Sequence, residues 1–250
     1  LSLYKMKLQF PFAVQSNVES LEASYDKFAT QNDLFRAVSG EEQPLITDIS
    51  GQIQNGTATL AVGENTQVLY FYGTNTGENP VTIYVNGTPV KIPASYYYEN
   101  EQYPSDFCNG LVCLGAFKNE TVTVQFATNA AVTDLHLGML DYALLEQTAD
   151  TLKNQGMQVT DLKQKNSGAS FAVKDAKAGS VFVPVPYDEN WKCKVNGEDV
   201  SEKLTSIGGM MTIPVKEGTN EISLHYQAKG RVSGAVISFA AILLCFSVWL

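Results

Sequence analysis

Short segments in which apolar and polar residues alternate dominate this chain. Val81, Ile83 and Val85 are separated by polar residues, and the same spacing recurs over residues 121–126 and 222–227. Successive side chains of a strand point to opposite faces of a sheet, so each segment predicts a strand with one buried face.

Two further segments have helical spacing. Lys27–Val38 is followed by Ser39-Gly40, and glycine accepts the left-handed conformation that ends many helices. Asp141 opens the second segment, which runs to Gln155 and has an aspartate where a helix N-cap is expected. Its apolar residues form one stripe, Leu144, Leu145, Ala149 and Leu152.

The segments beginning at Val68 and Val181 resemble each other. In both, an apolar strand leads to a turn containing Glu-Asn, then to an alternating strand, and then to Val-Asn-Gly and a return strand. Asn-Gly between alternating runs is a strong hairpin signal, because both central residues of a type I′ turn need positive φ. The pattern predicts a mainly β chain: two small antiparallel β-sandwich domains, jelly-roll or immunoglobulin-like, joined by a helix.

The predicted organisation has five parts. They are an irregular or helical segment over 1–45, a first sandwich over 46–140, a connecting helix over 141–156, a second sandwich over 157–228 and a transmembrane helix over 230–250.

The last of these parts has the clearest composition. Residues 232–250 carry no charge, and about 20 apolar residues suffice to cross a bilayer. A buried core helix is the alternative. The chain also begins without an initiator Met or a signal peptide, so we expect it to be part of a longer protein.

Charge narrows the range of partners. The 250 residues include 17 Lys and Arg against 26 Asp and Glu, a net charge of -9. Nucleic-acid binding needs a basic surface that releases counterions, so we expect no nucleic-acid partner. A polybasic attachment to anionic lipid is disfavoured for the same reason.

The four cysteines suggest packing more than chemistry. Cys193 and Cys245 lie in apolar surroundings and are predicted to be small buried side chains. Cys108 and Cys113 could form a disulfide, but neither a hairpin at Asn109-Gly110 nor one continuous strand would place them opposite each other. The unpaired state is therefore favoured, with the disulfide as the alternative.

No catalytic, metal-binding or cofactor-binding motif is evident in the sequence. His136 and His225 each stand between apolar residues of a predicted strand, which predicts surface side chains on the polar face. Asp188 and Glu189 precede Trp191 in a predicted turn, where backbone hydrogen bonding explains an aspartate. We therefore predict no catalytic residue, no metal ligand and no cofactor.

A tyrosine cluster is the most suggestive binding feature. Tyrosine rings can stack on the flat C–H faces of sugars, and nearby Asn and Asp can bond sugar hydroxyls. Packing of these rings against the core or a sheet edge is the alternative. The candidate glycan contacts are Tyr96, Tyr97, Tyr98 and Tyr103.

Several of these segments, taken in order, resemble the bacterial YfhO membrane-protein family. Its C-terminus is similar to Pro184–Val195 with the following Asn-Gly, to the turn at 216–220, to the strand 222–226 and to the apolar tail. The runs beginning at Phe10 and Thr30 resemble the segment that follows the family's main helical bundle.

The resemblance implies a location and a role. Family members look like multi-pass glycosyltransferases that use polyprenyl-phosphate sugars and act on lipoteichoic acid or related envelope polymers, with catalytic acids far upstream of this region. It implies that residues 1–228 are extracytoplasmic, in an accessory or acceptor-positioning role. The implied partners are the lipid bilayer through the C-terminal helix, the upstream transmembrane bundle and a cell-wall glycopolymer. The alternative is a membrane-anchored glycan-binding or adhesin module without enzymatic activity.

Overall fold

The structure is a computed structural model. It describes residues 10–22, 24, 26–75, 82–90, 111–127, 132–154, 156–230, 234, 237–239, 241 and 242. The chain forms two compact units: one contains Leu21–Lys153, and the other combines Pro11–Ser20 with the chain from Asn154 onward. All described strand pairs are antiparallel, which confirms the predicted mainly β fold.

The first strand along the chain, β1 (Val14–Ser16), belongs to the second unit. The first unit then contains α1 (Lys27–Ser39), β2 (Ile46–Asp48), β3 (Thr57–Val62), β4 (Gln67–Asn75), β5 (Ile83–Val85), β6 (Thr88–Val90), β7 (Val112–Phe117), β8 (Glu120–Phe126), β9 (Val132–Asp141) and α2 (Tyr142–Lys153).

The first unit is a sandwich of two four-stranded sheets, ordered β2-β9-β4-β7 and β3-β8-β5-β6. Its core takes residues from both sheets, because Leu60 and Val122 of one and Phe71 and Leu137 of the other are buried in one cluster. The predicted strands with one buried face are therefore confirmed: apolar residues face inward and threonines face outward.

Helix α1 covers the outer face of the sheet β2-β9-β4-β7. Asp26 caps the helix by accepting from the Ala29 N–H at 2.9 Å, and Gly40 ends it at φ 74°. Phe28 packs edge-on against Tyr72 at 4.9 Å between ring centroids. A side chain at Gly138 would overlap Phe28 and Ile46, so this strand position must stay bare for the helix to dock.

Helix α2 begins at the predicted cap. One carboxylate oxygen of Asp141 accepts from the N–H groups of Ala143 and Leu144 at 3.0 and 3.1 Å. Both helices predicted from apolar spacing are thus confirmed, together with the predicted end of α1 at Gly40 and the predicted cap of α2 at Asp141.

The second unit contains β1 and eight later strands. They are β10 (Gln158–Lys165), β11 (Gly168–Ala176), β12 (Gly179–Pro186), β13 (Trp191–Val195), β14 (Glu198–Asp199), β15 (Thr205–Ile207), β16 (Met210–Val215) and β17 (Gly218–Tyr226). They form a four-stranded sheet, β1-β12-β16-β15, and a five-stranded sheet, β10-β11-β17-β13-β14, around one core.

The two sandwiches share a strand order. In one pair of sheets, β3-β8-β5-β6 corresponds to β11-β17-β13-β14, and in the other β9-β4-β7 corresponds to β1-β12-β16. The Asn-Gly hairpins confirm the equivalence in detail. Asn86 accepts from the Thr123 N–H and Asn196 from the Glu221 N–H, both at 2.8 Å, with the asparagines at φ 50° and 52°.

The predictions for the two ends of the chain have different outcomes. The prediction of an irregular or helical segment over 1–45 missed β1, which pairs with β12; a three-residue strand is too short to show a period. Helix is described at 234, 237–239 and 241–242, and no helix in the described part of the chain is long and apolar enough to cross a membrane. The rest of the span predicted over 230–250 lies outside the described residues.

Candidate functional site

The outer face of the five-stranded sheet carries an open trough with lysines on both sides. In one row across four strands, Lys163 of β10 lies opposite Ser170, which lies opposite Ser223, which lies opposite Lys194 of β13. Paired residues of neighbouring strands point to the same face, so the row is set by the register. We call this surface the lysine trough.

A second row runs beside the first. It consists of Lys165, Gly168, His225 and Lys192. A side chain at Gly168 would overlap the backbone carbonyl of Leu224, so this floor position cannot carry one. The floor thus consists of two serines, Gly168 and the imidazole of His225, and the lysines form the walls.

The dimensions of the trough follow from the sheet. Its walls stand on β10 and β13, with β11 and β17 between them. Neighbouring strands lie about 4.8 Å apart, which separates the two walls by roughly 14 Å. That width admits one extended polymer chain with its hydration.

The four wall lysines are exposed and available to a ligand. No carboxylate lies within 4.0 Å of any of their ammonium groups in the described chain, whereas Lys216 and Lys229 pair with Glu198 and Glu189. Asp199 of β14 lies opposite Lys194 in the register, and the charges of Lys192 and Lys194 help to hold the pKa of its carboxyl below the ordinary value. The four lysines therefore form a local cluster of positive charge, with one carboxylate beside the β13 wall, on a protein of net charge -9.

Acidic groups lie at one end of the trough. Asp161 and Glu221 line it beside Lys163 and Lys194. Asp161 sits at φ 56° where β10 shifts its register against β11. The trough therefore combines cationic walls with a polar, partly acidic end.

An aromatic cleft opens at one end of the same sandwich. Phe12, Trp191 and Tyr226 line it together with Gln164 and Asn166. Trp191 packs edge-on against Tyr226 at 5.2 Å between centroids, and its indole N–H donates to the Pro186 carbonyl at 3.1 Å. The rings are therefore fixed in place by packing and by a hydrogen bond.

The tyrosines singled out in the sequence, Tyr96, Tyr97, Tyr98 and Tyr103, lie outside the described residues, so their glycan contact stays a prediction. His225 is exposed as predicted and lies with its Nδ1 3.2 Å from the Ser167 hydroxyl.

His136 is not the surface residue that its polar-face position predicted. Its ring stacks on Tyr72 at 4.3 Å between centroids and 9° between planes, and its Nδ1 lies 3.7 Å from a carboxylate oxygen of Asp48. Its side chain is only 25% exposed. The alternation predicted the correct face of the strand, but that face packs under protein side chains.

Tyr72 and Asp48 complete this cluster. The Tyr72 hydroxyl donates to the Asp26 carboxylate at 3.3 Å. Burial, followed by the charge of Asp26, raises the pKa of Tyr72 well above its ordinary value. Burial also acts to raise the pKa of Asp48, but hydrogen bonds from Ser50 and the nearby His136 outweigh it and hold that pKa below its ordinary value. Since Tyr72 bonds the carboxylate that caps α1, the cluster docks the helix.

The other predicted residues have structural roles. Cys193 is fully buried, as predicted, and burial raises the pKa of its thiol to about 12. Cys113 is exposed on β7, while Cys108 and Cys245 lie outside the described residues. Asp188 accepts from the Asn190 N–H at 2.8 Å, which confirms its predicted part in the turn. No group of three potential metal ligands occurs among the residues that the structure covers.

Nothing in the sequence pattern indicated the trough. Its two walls come from strands about thirty residues apart, and the KCK and KQK spacings alone are typical of any solvated strand edge. Only the register of four strands places these lysines in rows.

Comparison with known proteins gives two matches. The model of a family described as "Bacterial membrane protein YfhO" matches residues 2–238. A protein of Bacillus subtilis (strain 168) named "Uncharacterized protein YfhO" is 25% identical over 211 residues, which cover 80% of this chain and 24% of that protein. The chain thus spans about a quarter of the length of this relative.

Proposed function

We propose, from the premise that this chain belongs to the YfhO family of bacterial membrane proteins, that it is the extracytoplasmic region of an envelope glycosyltransferase and holds the acceptor polymer in the lysine trough. The sugar transfer itself belongs to the membrane-embedded part of the protein. The tail over 232–250 anchors the region in the membrane.

The observation that carries this proposal is the pair of lysine rows. Bacterial envelope acceptors of the class that the family resemblance implies are linear polymers joined by phosphodiesters. Their phosphates need cationic partners at intervals along an extended chain. The exposed ammonium groups of Lys163, Lys165, Lys192 and Lys194 supply them, and the serines on the floor can bond hydroxyls.

The lysine trough is better suited to binding an acceptor polymer than to catalysing sugar transfer. Lysine binds phosphate as a point charge and adapts to its position by rotation of a flexible stem. Such contacts allow a polymer to slide between successive transfers, as electrostatic contacts allow proteins to move along nucleic acid. A sliding acceptor is useful to an enzyme that modifies many units of one chain.

The test uses the full-length membrane protein in its host. Lys163→Gln/Lys194→Gln removes one lysine from each wall, and Lys177→Gln/Lys203→Gln removes two exposed lysines outside the trough with the same charge change. We expect the first variant to reduce sugar incorporation into the envelope polymer several-fold at equal membrane abundance. Equal incorporation in the two variants would refute the trough as the acceptor site.

A binding assay with the purified full-length protein separates holding from catalysis. The probe is an oligomer of glycerol phosphate, compared with neutral dextran. Binding through phosphates should weaken with salt, with a slope of about 0.7 per contacted phosphate on a double-logarithmic plot. The trough variant should lower that slope by about 1.4, while dextran should show no salt dependence.

The alternative, a glycan-binding or adhesin module without enzymatic partners, is distinguished by deletion. Removal of residues 11–228 from the full-length protein should abolish or strongly reduce polymer glycosylation if the region positions the acceptor. Unchanged glycosylation with lost cell-wall binding would favour the module instead.

A further inference from the structure

The chain enters the first strand of the second sandwich and leaves its last strand at the same end. Phe12 leads into β1, and β17 finishes at Tyr226; the two side chains line the same cleft. β1 runs antiparallel to β12, from Val14 opposite Phe182 to Ser16 opposite Ser180, so Phe12 lies toward the Pro186 end of β12. We call this the aromatic end of the sandwich.

The chain leaves for α1 and returns from α2 at the opposite end. β1 runs away from the aromatic end as far as Ser16, and β10 starts at Gln158, which pairs with Lys174 near the far end of β11. The hairpin turn at Asn196-Gly197 and the turn at 216–217 lie at this opposite end too. The sandwich therefore has one end that leads toward the apolar tail and another that leads to α1 and α2.

Aromatic side chains are concentrated at the end that leads to the tail. Phe12, Trp191 and Tyr226 line the cleft, and Tyr187 in the adjoining loop is 41% exposed. Trp and Tyr are amphipathic rings that prefer the boundary between hydrocarbon and water, where they form belts in membrane proteins.

The tether to the tail is short. Five residues, 227–231, separate Tyr226 from the start of the uncharged segment at 232, and five extended residues span at most about 18 Å. Beyond the tether, Ile237, Phe239 and Ile242 are between 52% and 68% exposed. A tail inserted in a bilayer therefore keeps the aromatic end within reach of the lipid headgroups.

We propose that the aromatic end rests in the interfacial layer of the bilayer, with Trp191, Tyr226, Phe12 and Tyr187 among the lipid headgroups. This inference rests on the proposed membrane anchoring of the tail. The occupant of the cleft is phospholipid, and Lys229 is positioned beside it in its ion pair with Glu189. In this position β17 runs roughly along the membrane normal, and the opposite end of the sandwich points away from the bilayer.

The two tryptophans of the chain, Trp191 and Trp249, make the test specific. Trp249→Phe leaves Trp191 as the one fluorescent indole. The matched control is Trp191→Phe/Trp249→Phe/Glu217→Trp, which places the reporter at the other end of β17. The nine residues of that strand span roughly 27 Å. Both chains are reconstituted in phosphatidylcholine vesicles with or without lipid that carries a quencher near the headgroup, after their β content is matched by circular dichroism.

The expected result is that both chains float with the vesicles, that the headgroup quencher lowers Trp191 emission about two-fold, and that it leaves the Glu217→Trp reporter nearly unchanged. Flotation without quenching of Trp191 would overturn the seating and leave the anchor intact. Equal quenching of both reporters would also overturn it, because the sandwich would then lie on its side. Failure to float would remove the membrane anchor and with it this inference.

Discussion

The outer faces of the two corresponding sheets differ although their strand orders are the same. In the first sandwich, β3 and β8 present threonines such as Thr59 and Thr123, which lie opposite each other. Tyr84 of the first sandwich lies opposite Gln125 of the closing strand β8, and Lys194 occupies the equivalent position in the second sandwich, opposite Ser223 of β17. One framework therefore carries a neutral face in one unit and a lysine-walled face in the other.

This difference has a general meaning for the protein. The buried positions are equivalent, with Ile83 and Val85 of the first sandwich matching Cys193 and Val195 of the second. The exposed positions are free to diverge because they contribute little to the core. The second sandwich also has the additional strand β10, which supplies one wall of the trough.

The largest effect should come from filling the floor of the trough. In Gly168→Ala the new methyl group meets the backbone of Leu224, which cannot move without breaking the β11–β17 ladder. We expect a loss of about 3 kcal/mol or more in the free energy of unfolding of the second sandwich. Gly63→Ala is the control, because its new methyl group would have nothing within 4 Å. Amide exchange resolved by peptide reports each sandwich separately, and equal protection in the two variants would contradict the prediction.

The twin asparagines test the equivalence of the sandwiches. Asn86→Ala and Asn196→Ala each remove a hydrogen bond to the closing strand and place alanine at positive φ. Each should destabilise its own sandwich by about 2 kcal/mol and leave the other unchanged. Unequal losses, measured by amide exchange in the strands β8 and β17, would show that the two hairpins do not have the same structural role.

Much of this fold could be predicted from the sequence because its signals are local. Asn-Gly turns, alternating strands, the helix end at Gly40 and the helix cap at Asp141 act within a few residues. β10 shows no alternation because five of its eight residues are exposed in one run, so its pairing could not be predicted from periodicity.

The helix that covers the first sandwich has no counterpart in the described part of the second, and its fastening can be weakened in two steps. Asp26→Ala removes both the α1 cap and the partner of the Tyr72 hydroxyl, and should cost about 2 kcal/mol. Tyr72→Phe removes the hydroxyl alone and should cost about 1 kcal/mol. Exchange of the α1 amides measures both, and a larger effect of Tyr72→Phe would contradict the shared role of Asp26.

The smallest expected effect is on the loss of folding stability at acid pH. Asp48 and Asp199 each accept from a serine two residues later, and hydrogen bonding leaves the pKa of both below its ordinary value of 3.8. Their stabilising contribution is present above that ordinary value and is lost as the pH falls through the lower, folded pKa. Asp48→Asn should therefore flatten the acid dependence of the first sandwich between about pH 5 and pH 2, and Asp199→Asn should do the same more weakly for the second. An unchanged dependence in both, followed by amide exchange, would contradict the role of these carboxylates.

The candidate site could not be predicted, because its geometry depends on pairing between distant segments. Lys163 and Lys194 stand on opposite walls of the trough, and the two strands between them, β11 and β17, pair although β12 to β16 separate them in the sequence. The overall charge even argued against a basic surface, since net charge says nothing about distribution. The predicted exposure of His136 was wrong for a similar reason. Alternation identifies the face of the strand on which a side chain lies, but the residues that cover that face come from elsewhere in the chain.

The strand β1 has a consequence for how the protein is made. Gln15 bonds Ser180, 165 residues later, so the whole first unit is synthesised before β1 meets its partner. Until then β1 has no strand to pair with and its backbone groups are open to strands of other chains, and contacts over such a sequence separation form slowly. During synthesis the earliest strand therefore waits for β12, and because β13 to β17 follow β12 along the chain, the second sandwich can close only after the polypeptide has been made as far as Tyr226.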